Sequence, residues 1–255
     1  MDLKIKNLIL EPTNICNLSC KMCPRNWVEM PLGVMSLTLF ESILGEVEPG
    51  TTIVLVWRGE PTLAEILPHM IRRSYLRTKD VVLATNGTMP HVLGADEFRC
   101  LRSINVSIHG KESLEGLKDI LSRKGGDTHV QGSMVDGEDT GVAVEDLRCA
   151  DSVRIYREHT ADGVAGRLAR QEIPAEKTER GGICHRLLTD LVIAWDGSIS
   201  RCCYDWHTWP LEVLDANRQT LEEIWSSDTL REVRENYPEG PCITCDQWKG
   251  EGRTL

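Results

Sequence analysis

NLILEPTNICNLSCKMCPRN, residues 7–26, joins a short apolar run to three closely spaced cysteines. NLILEPT (7–13) reads as a short buried strand, and Cys16, Cys20 and Cys23 follow it in the pattern C-x3-C-x2-C. A structural zinc site closes with four ligands, and a cubane iron–sulfur cluster held by protein alone takes four thiolates. The segment falls one short. Either a distant cysteine completes the site, or one metal atom is left open.

Beyond this stretch the chain alternates. SLTLFESILGEV places Leu37, Phe40, Leu44 and Val47 on one helical face, with Ser36 as N-cap. TTIVLVW (51–57) is a β-branched run, expected as a strand buried on both faces. A helix is expected through 63–77, a strand at 80–86, a helix near 95–101, a strand at 103–109 and a helix at 113–123. The Gly- and Asp-rich stretch 124–141 holds one more strand (128–135), followed by a helix near 142–149 and a last strand at 151–157. Strands alternating with helices predict parallel βαβ units. The expected fold class is α/β, a partial (β/α)6 barrel. In such folds chemistry collects at the carboxyl ends of the strands. Cys16 lies past the first strand, Arg58-Gly59-Glu60-Pro61 past the second and Thr85-Asn86-Gly87 at the end of the third. Ser107 and His109 end the fourth strand, and Arg154, Tyr156 and Arg157 end the sixth. All of them fall on one rim.

The character changes after about residue 180. LVIAWDGSISRCCYD reads as a β-hairpin turning at Asp196-Gly197. TLEEIWSSDTLREVREN (220–236) reads as helical, with Leu221, Ile224, Trp225, Leu230 and Val233 facing inward. The expected division is a barrel over 1–180 and a small C-terminal unit over 181–255, too small for a good core alone and stabilised by a metal.

Composition narrows the class. The 255 residues are 41% hydrophobic and 27% charged, ordinary for a globular chain. Apolar runs such as TIVLVW are too short to span a bilayer. The amino terminus lacks an apolar core ending in a cleavage site, so the expected location is the cytoplasm. Ten cysteines there point to metal or redox chemistry, not to a disulfide framework. The formal net charge of −10 argues against nucleic acid or an anionic membrane as a general partner.

C-x3-C-x2-C after the first strand, GEP after the second and TNG after the third together resemble the radical S-adenosylmethionine superfamily. The tail resembles its twitch/SPASM extension: Cys184-x12-Gly197-x4-Cys202, then Cys242-x2-Cys245. The overall layout is similar to that of the compact aminocyclitol dehydrogenases of aminoglycoside synthesis, such as 2-deoxy-scyllo-inosamine dehydrogenase. The resemblance implies two 4Fe–4S clusters. One sits on Cys16, Cys20 and Cys23, with its open iron chelated by S-adenosylmethionine. The other is an auxiliary cluster on Cys184, Cys202, Cys242 and Cys245. It implies reductive cleavage to a 5′-deoxyadenosyl radical, which abstracts a hydrogen atom from a substrate C–H bond. Gly59, Glu60, Pro61, Thr85, Asn86, Gly87 and Ser107 become expected cofactor contacts. A flavodoxin or ferredoxin becomes the expected electron donor.

Arg154, Tyr156, Arg157 and His109 are the candidate substrate-facing or proton-accepting residues, with Glu158 and His159 beside them. Cys203, next to Cys202, is expected to stay a buried thiol, and Cys100 and Cys149 to be small core residues. Tyr204, Trp206, His207 and Trp209 are candidates to cover the auxiliary site. The expected reaction is oxidation or epimerisation of a small polar molecule. The rivals are maturation of a ribosomally made peptide, activation of a glycyl-radical protein, and a non-catalytic zinc-binding module.

Overall fold

The structure is a computed structural model that describes residues 4–21, 23–136, 139–157, 183–205, 211, 213–238, 242, 245 and 253–254. Strands β1 (Asn7–Leu10), β2 (Thr52–Leu55), β3 (Val81–Thr85), β4 (Ser103–Ser107), β5 (His129–Asp136) and β6 (Ser152–Arg157) run parallel in sequence order. Helices α1 (Leu37–Glu46), α2 (Leu67–Thr78), α3 (Ala95–Arg99) and α4 (Lys111–Arg123) cross between them. The last crossover is a 3-10 turn (Val144–Cys149). This is the expected sequence of βα units.

The C-terminal segment does not stand apart from this sheet. After α5 (His185–Thr189), β7 (Asp190–Ile193) pairs in parallel with the outer edge of β1, Leu8 opposite Leu191 and Leu10 opposite Ile193. β8 (Ile199–Ser200) returns antiparallel to β7, which completes the expected hairpin, and β9 (Arg253–Thr254) pairs antiparallel with β6. Among the described residues the sheet has nine strands in the order β8-β7-β1-β2-β3-β4-β5-β6-β9. The Asp190 carboxylate fixes β7 in place, accepting from Asn7 Nδ2 (2.8 Å), Thr189 Oγ1 (2.7 Å) and Arg186 Nη1 (3.3 Å). The hairpin thus borrows the barrel's core: Leu191, Ile193 and Ile199 share one apolar cluster with Leu8, Phe40, Ile53 and Leu83. Each such side chain contributes about 1.5–3 kcal/mol of burial.

Several local expectations are corrected. Ser36 does cap α1, its hydroxyl accepting from Leu39 N, but Leu37 is 46% exposed, and Leu39 and Ile43 join Phe40 and Leu44 inside. β2 is not buried on both faces. Ile53 and Leu55 pack under the helices, while Thr52 and Val54 are half-buried on the other side. The helical region 220–236 breaks into α6 (Leu221–Trp225) and α7 (Asp228–Glu235), because the Ser227 hydroxyl caps a new helix by accepting from Leu230 N. Val233 is half-buried, and Cys149 is exposed, not in the core.

The loop after β3 depends on glycine. Gly87 takes φ +73°, a left-handed conformation. Gly116 of α4 lies directly on it: a Cβ at 116 would overlap the Gly87 carbonyl oxygen and sit 2.7 Å from its carbon. Gly45, in the last turn of α1, has nothing within 4 Å of its missing Cβ. The same substitution should therefore have opposite signs. Gly45→Ala should stabilise by up to about 1 kcal/mol through helix propensity, and Gly116→Ala should destabilise by about 1–3 kcal/mol through overpacking. Urea melts of the two variants check this, and equal effects at both positions would refute the packing of α4 on the β3 loop.

Candidate functional site

Three strand ends meet at one buried ion pair. Glu11 leaves β1 and Arg58 leaves β2, and both side chains are 0% exposed. Glu11 Oε1 accepts from Arg58 Nε (2.7 Å) and from its backbone N (3.2 Å). Oε2 accepts from Arg58 Nη2 (2.5 Å) and from Trp195 N (3.2 Å), just past β7. The guanidinium also stacks on the Trp57 ring, 3.9 Å from its centroid. Removing one member of such a pair costs about 3–5 kcal/mol, since the other charge stays buried.

The cysteine loop is closed at its base by a short antiparallel contact. Thr13 bridges Val34, Thr13 Oγ1 donates to Gly33 O (2.6 Å), and Asn14 Nδ2 donates to Pro31 O (2.7 Å). Inside the loop, Cys23 N donates to Cys20 O (2.9 Å), and Asn26 Nδ2 donates to the same carbonyl (2.7 Å). Arg25 Nη2 reaches Leu18 O (3.2 Å) and Cys16 O (3.5 Å). Burial pushes the Cys16 and Cys23 thiols up, the facing sulfurs add to this, and Arg25 opposes it. The three thiols therefore stand within electrostatic reach of one another. Thiolate ligation releases those protons, so the donor set suits a thiolate-bound cluster.

GEP and TNG pack against this loop. A Cβ on Gly59 would overlap Thr13 O and lie 2.6 Å from Ile15 O, so only glycine lets the β2 end approach residues 13–15. Glu60 N then donates to Ile15 O (2.8 Å). The Glu60 carboxylate is 2% exposed and faces its own protein. It accepts from Thr62 N (3.1 Å), Thr62 Oγ1 (2.7 Å), Thr85 Oγ1 (2.6 Å) and Asn86 N (2.6 Å). Pro61 starts the 3-10 turn that brings Thr62 round. Asn86 Nδ2 donates to Asn17 Oδ1 (2.9 Å), while Asn17 Nδ2 donates to Thr88 Oγ1 (2.8 Å). Glu60 is thus the clasp between the ends of β2 and β3, and Asn17 ties both to the cysteines.

The tail cysteines form a second group. Burial raises the Cys184 thiol, with the Cys202 sulfur adding to it. Burial takes Cys242 up to about 11, and both Cys202 and Cys184 contribute. Cys245 is held beside Cys242 by its N–H on the Cys242 carbonyl (3.4 Å). Cys202 and Cys203 lie past β8, in a turn instead of on a strand, so they do not point to opposite faces: their thiols are hydrogen-bonded to one another. Cys202 faces Cys184 and Cys242. Cys203 approaches Arg186 Nη1 (4.0 Å), and its carbonyl accepts from Trp57 Nε1 (2.7 Å). The hydrogen bond between the two thiols raises Cys202 and lowers Cys203. All ten cysteines are free. Among the described residues, no three His, Cys, Asp or Glu side chains converge on one point as a mononuclear metal ion requires.

The sheet's inner face is divided. Ile104, Val106, Val130, Met134 and Val153 join the helix-side core. Their neighbours Asn105, Ser107, Gln131, Ser133, Arg154 and Tyr156 therefore face the other way. On the β7–β3 side the same face carries a polar row, Asp190, Asn7 and Thr52, and nearer the carboxyl ends an apolar row, Val192, Ile9, Val54 and Val82. Among the predicted rim residues, Ser107 and His109 are half-buried at the end of β4, and the Arg154 guanidinium lies over the Tyr156 ring at 4.8 Å. The Arg157 side chain and Glu158, His159, Trp206, His207 and Trp209 lie outside the described residues.

Comparison with known proteins agrees with this arrangement. Residues 184–246 match the SPASM family, an iron-sulfur cluster-binding domain. A "Probable GTP 3',8-cyclase" from Metallosphaera sedula is 29% identical over 136 residues, 50% of this chain and 41% of that protein. A "Tungsten-containing aldehyde ferredoxin oxidoreductase cofactor-modifying protein" from Pyrococcus furiosus is 34% identical over 88 residues, 33% of this chain and 25% of its own. The matches thus span well under half the length of these relatives. The crystal structure of BtrN in complex with AdoMet and 2-DOIA superposes with a TM-score of 0.65 at 18% identity, covering 96% of this chain and 94% of that one. Streptococcus suis SuiB bound to precursor peptide SuiA gives 0.62 at 15% identity, covering 94% and 69%. Residues 184–246 thus carry the SPASM match, and the chain as a whole shares the fold of BtrN and SuiB.

In this barrel, four contributors escape a reading of the sequence alone: Glu11, Asn17, Trp57 and the Arg58 side chain. Glu11 directly follows β1, and a carboxylate there, ahead of a cysteine loop, is the one local signal. The Glu60 clasp gives a direct test. Glu60→Gln keeps the shape but replaces one acceptor oxygen with an amide nitrogen, facing four donors. It should cost about 1–3 kcal/mol in denaturant unfolding, and an unchanged midpoint would refute the clasp.

Proposed function

We propose that the chain is a radical S-adenosylmethionine oxidoreductase that abstracts a hydrogen atom from a C–H bond of a small polar molecule and oxidises it. The observation that carries this reading is the divided inner face: nearest the cysteine loop it holds the apolar row Val192, Ile9, Val54 and Val82, and from β4 to β6 it is mostly polar. When bound, S-adenosylmethionine and two 4Fe–4S clusters, held by Cys16, Cys20 and Cys23 and by Cys184, Cys202, Cys242 and Cys245, supply the 5′-deoxyadenosyl radical and the electron traffic of the reaction.

The chain's own residues divide the remaining work. Gly59, Glu60, Pro61, Thr85, Asn86, Gly87 and Ser107 form the cofactor's side of the rim. Glu60 acts there through the backbone it holds, because its carboxylate already meets four donors. Asn105 offers hydrogen bonds to substrate hydroxyls, and Arg154 and Tyr156 close the far wall. The Tyr156 phenol and the His109 ring are the groups placed to hold the proton released when an alcohol becomes a carbonyl. The likeness to BtrN, which spans nearly all of both chains, supports a small substrate. The likeness to peptide-bound SuiB keeps peptide modification as the alternative outcome of a substrate screen. A flavodoxin or ferredoxin is the proposed donor.

The test separates the two cysteine groups. Cys20→Ala should abolish dithionite-driven formation of 5′-deoxyadenosine. Cys245→Ala should retain it while losing stability or substrate oxidation. Continued cleavage by Cys20→Ala would overturn the assignment of the first cluster.

A further inference from the structure

Arginines in this chain are consistently given an oxygen. Six of those that are buried or half-buried find one. Arg58 has Glu11, Arg123 has Asp119, Arg186 has Asp190, and Arg201 has Asp205. Arg25 and Arg234 donate to backbone carbonyls. Arg154 is the exception among the described residues. It is half-buried, its Nε is shut off from water without an acceptor, and its one polar-group contact is the face of Tyr156 at 4.8 Å. A buried donor without an acceptor requires an explanation.

The position gives one. Arg154 stands opposite Ser133 on the inner face of the sheet, between half-buried neighbours on β6. Among the described residues, those sharing that face along β4 to β6 are serines, Asn105, His129, Gln131, Val135 and Tyr156, with no carboxylate to balance the charge. A guanidinium never gives up its proton, and its planar fork matches a carboxylate or phosphate through two parallel hydrogen bonds. A neutral hydroxyl would leave most of the fork and all of the charge unanswered.

We infer that the substrate carries an oxyanion, a carboxylate or a phosphate, that seats on Arg154, with Asn105 and Tyr156 meeting its uncharged part. This rests on the proposed use of the inner face as the substrate wall. The carboxylate of S-adenosylmethionine is a second source of the same chemistry. The experiment separates the two by saturating the protein with S-adenosylmethionine before the anion is added.

The experiment uses the cluster-loaded full chain, saturated with S-adenosylmethionine, and titrates inorganic phosphate and, separately, acetate by calorimetry. Wild type should bind one of the two anions, and the one bound identifies the class. Arg154→Gln should weaken that binding by about tenfold or more, roughly 1.4 kcal/mol. Arg154→Lys, which keeps the charge and loses the fork, should fall between, and exposed Arg148→Gln should match wild type. The lysine variant also serves if the glutamine variant misfolds. No anion binding by wild type, or equal binding by wild type and Arg154→Gln, overturns the inference. So does a loss of S-adenosylmethionine affinity in Arg154→Gln with anion binding unchanged, which would give the arginine to the cofactor. Dithionite-driven 5′-deoxyadenosine formation is read on the same wild-type sample. Its failure with anion binding intact would sink the radical reading and leave the oxyanion seat standing.

Discussion

A carboxylate and a guanidinium with no access to water hold the carboxyl ends of β1, β2 and β7 together. Everything on the rim is placed relative to that pair. Arg58 is locked to Glu11, so the next residues, Gly59 and Glu60, must fold back onto Thr13 to Ile15, and this approach needs a glycine. Glu60 then fastens the β3 end. On the other flank Trp57 lies under Arg58 and donates its indole N–H to the carbonyl of Cys203. One buried pair therefore positions both cysteine groups. A buried ion pair is weak evidence for net stability, since an apolar replacement of equal volume often does as well. Its value here is register: it admits one relative placement of three strands.

The division of the inner face follows from the same architecture. Parallel strands covered by helices need an apolar row on one side, and this chain supplies it from β7 through β6. The opposite row is free to vary. Nearest the carboxyl ends it is apolar on β7, β1, β2 and β3, and it turns to hydroxyls, amides, a phenol and a guanidinium on β4 to β6. The gradient runs across the sheet from the cysteine loop to the far edge.

The barrel was legible because buried parallel strands read as apolar runs separated by helical periods, and β1 to β6 fall where those runs lie. The cysteine groups were legible because their spacing is local. Contacts distant in sequence were not. Glu11 and Arg58 lie 47 residues apart, and Glu11 and Trp195 lie 184 apart, so no local pattern connects them. The clasp made by the Glu60 carboxylate was not legible either, because two of its donors, Thr85 and Asn86, arrive from another strand. The hairpin was read correctly, but not its partner. A six-strand barrel that begins at β1 leaves an open edge there, and an open edge attracts a strand. The break between α6 and α7 was signalled by Ser226-Ser227-Asp228, a capping sequence that the continuing apolar period masked. Leu37 was misplaced because the first helical residue, directly after its cap, still points outward.

The account stands or falls on what the two cysteine groups hold. After anaerobic reconstitution, iron and acid-labile sulfide should each reach about eight per chain, dropping by about half when Cys184 and Cys242 are both replaced by alanine, with S-adenosylmethionine cleavage retained. Stoichiometric zinc with no sulfide, and no 5′-deoxyadenosine on reduction, would contradict it.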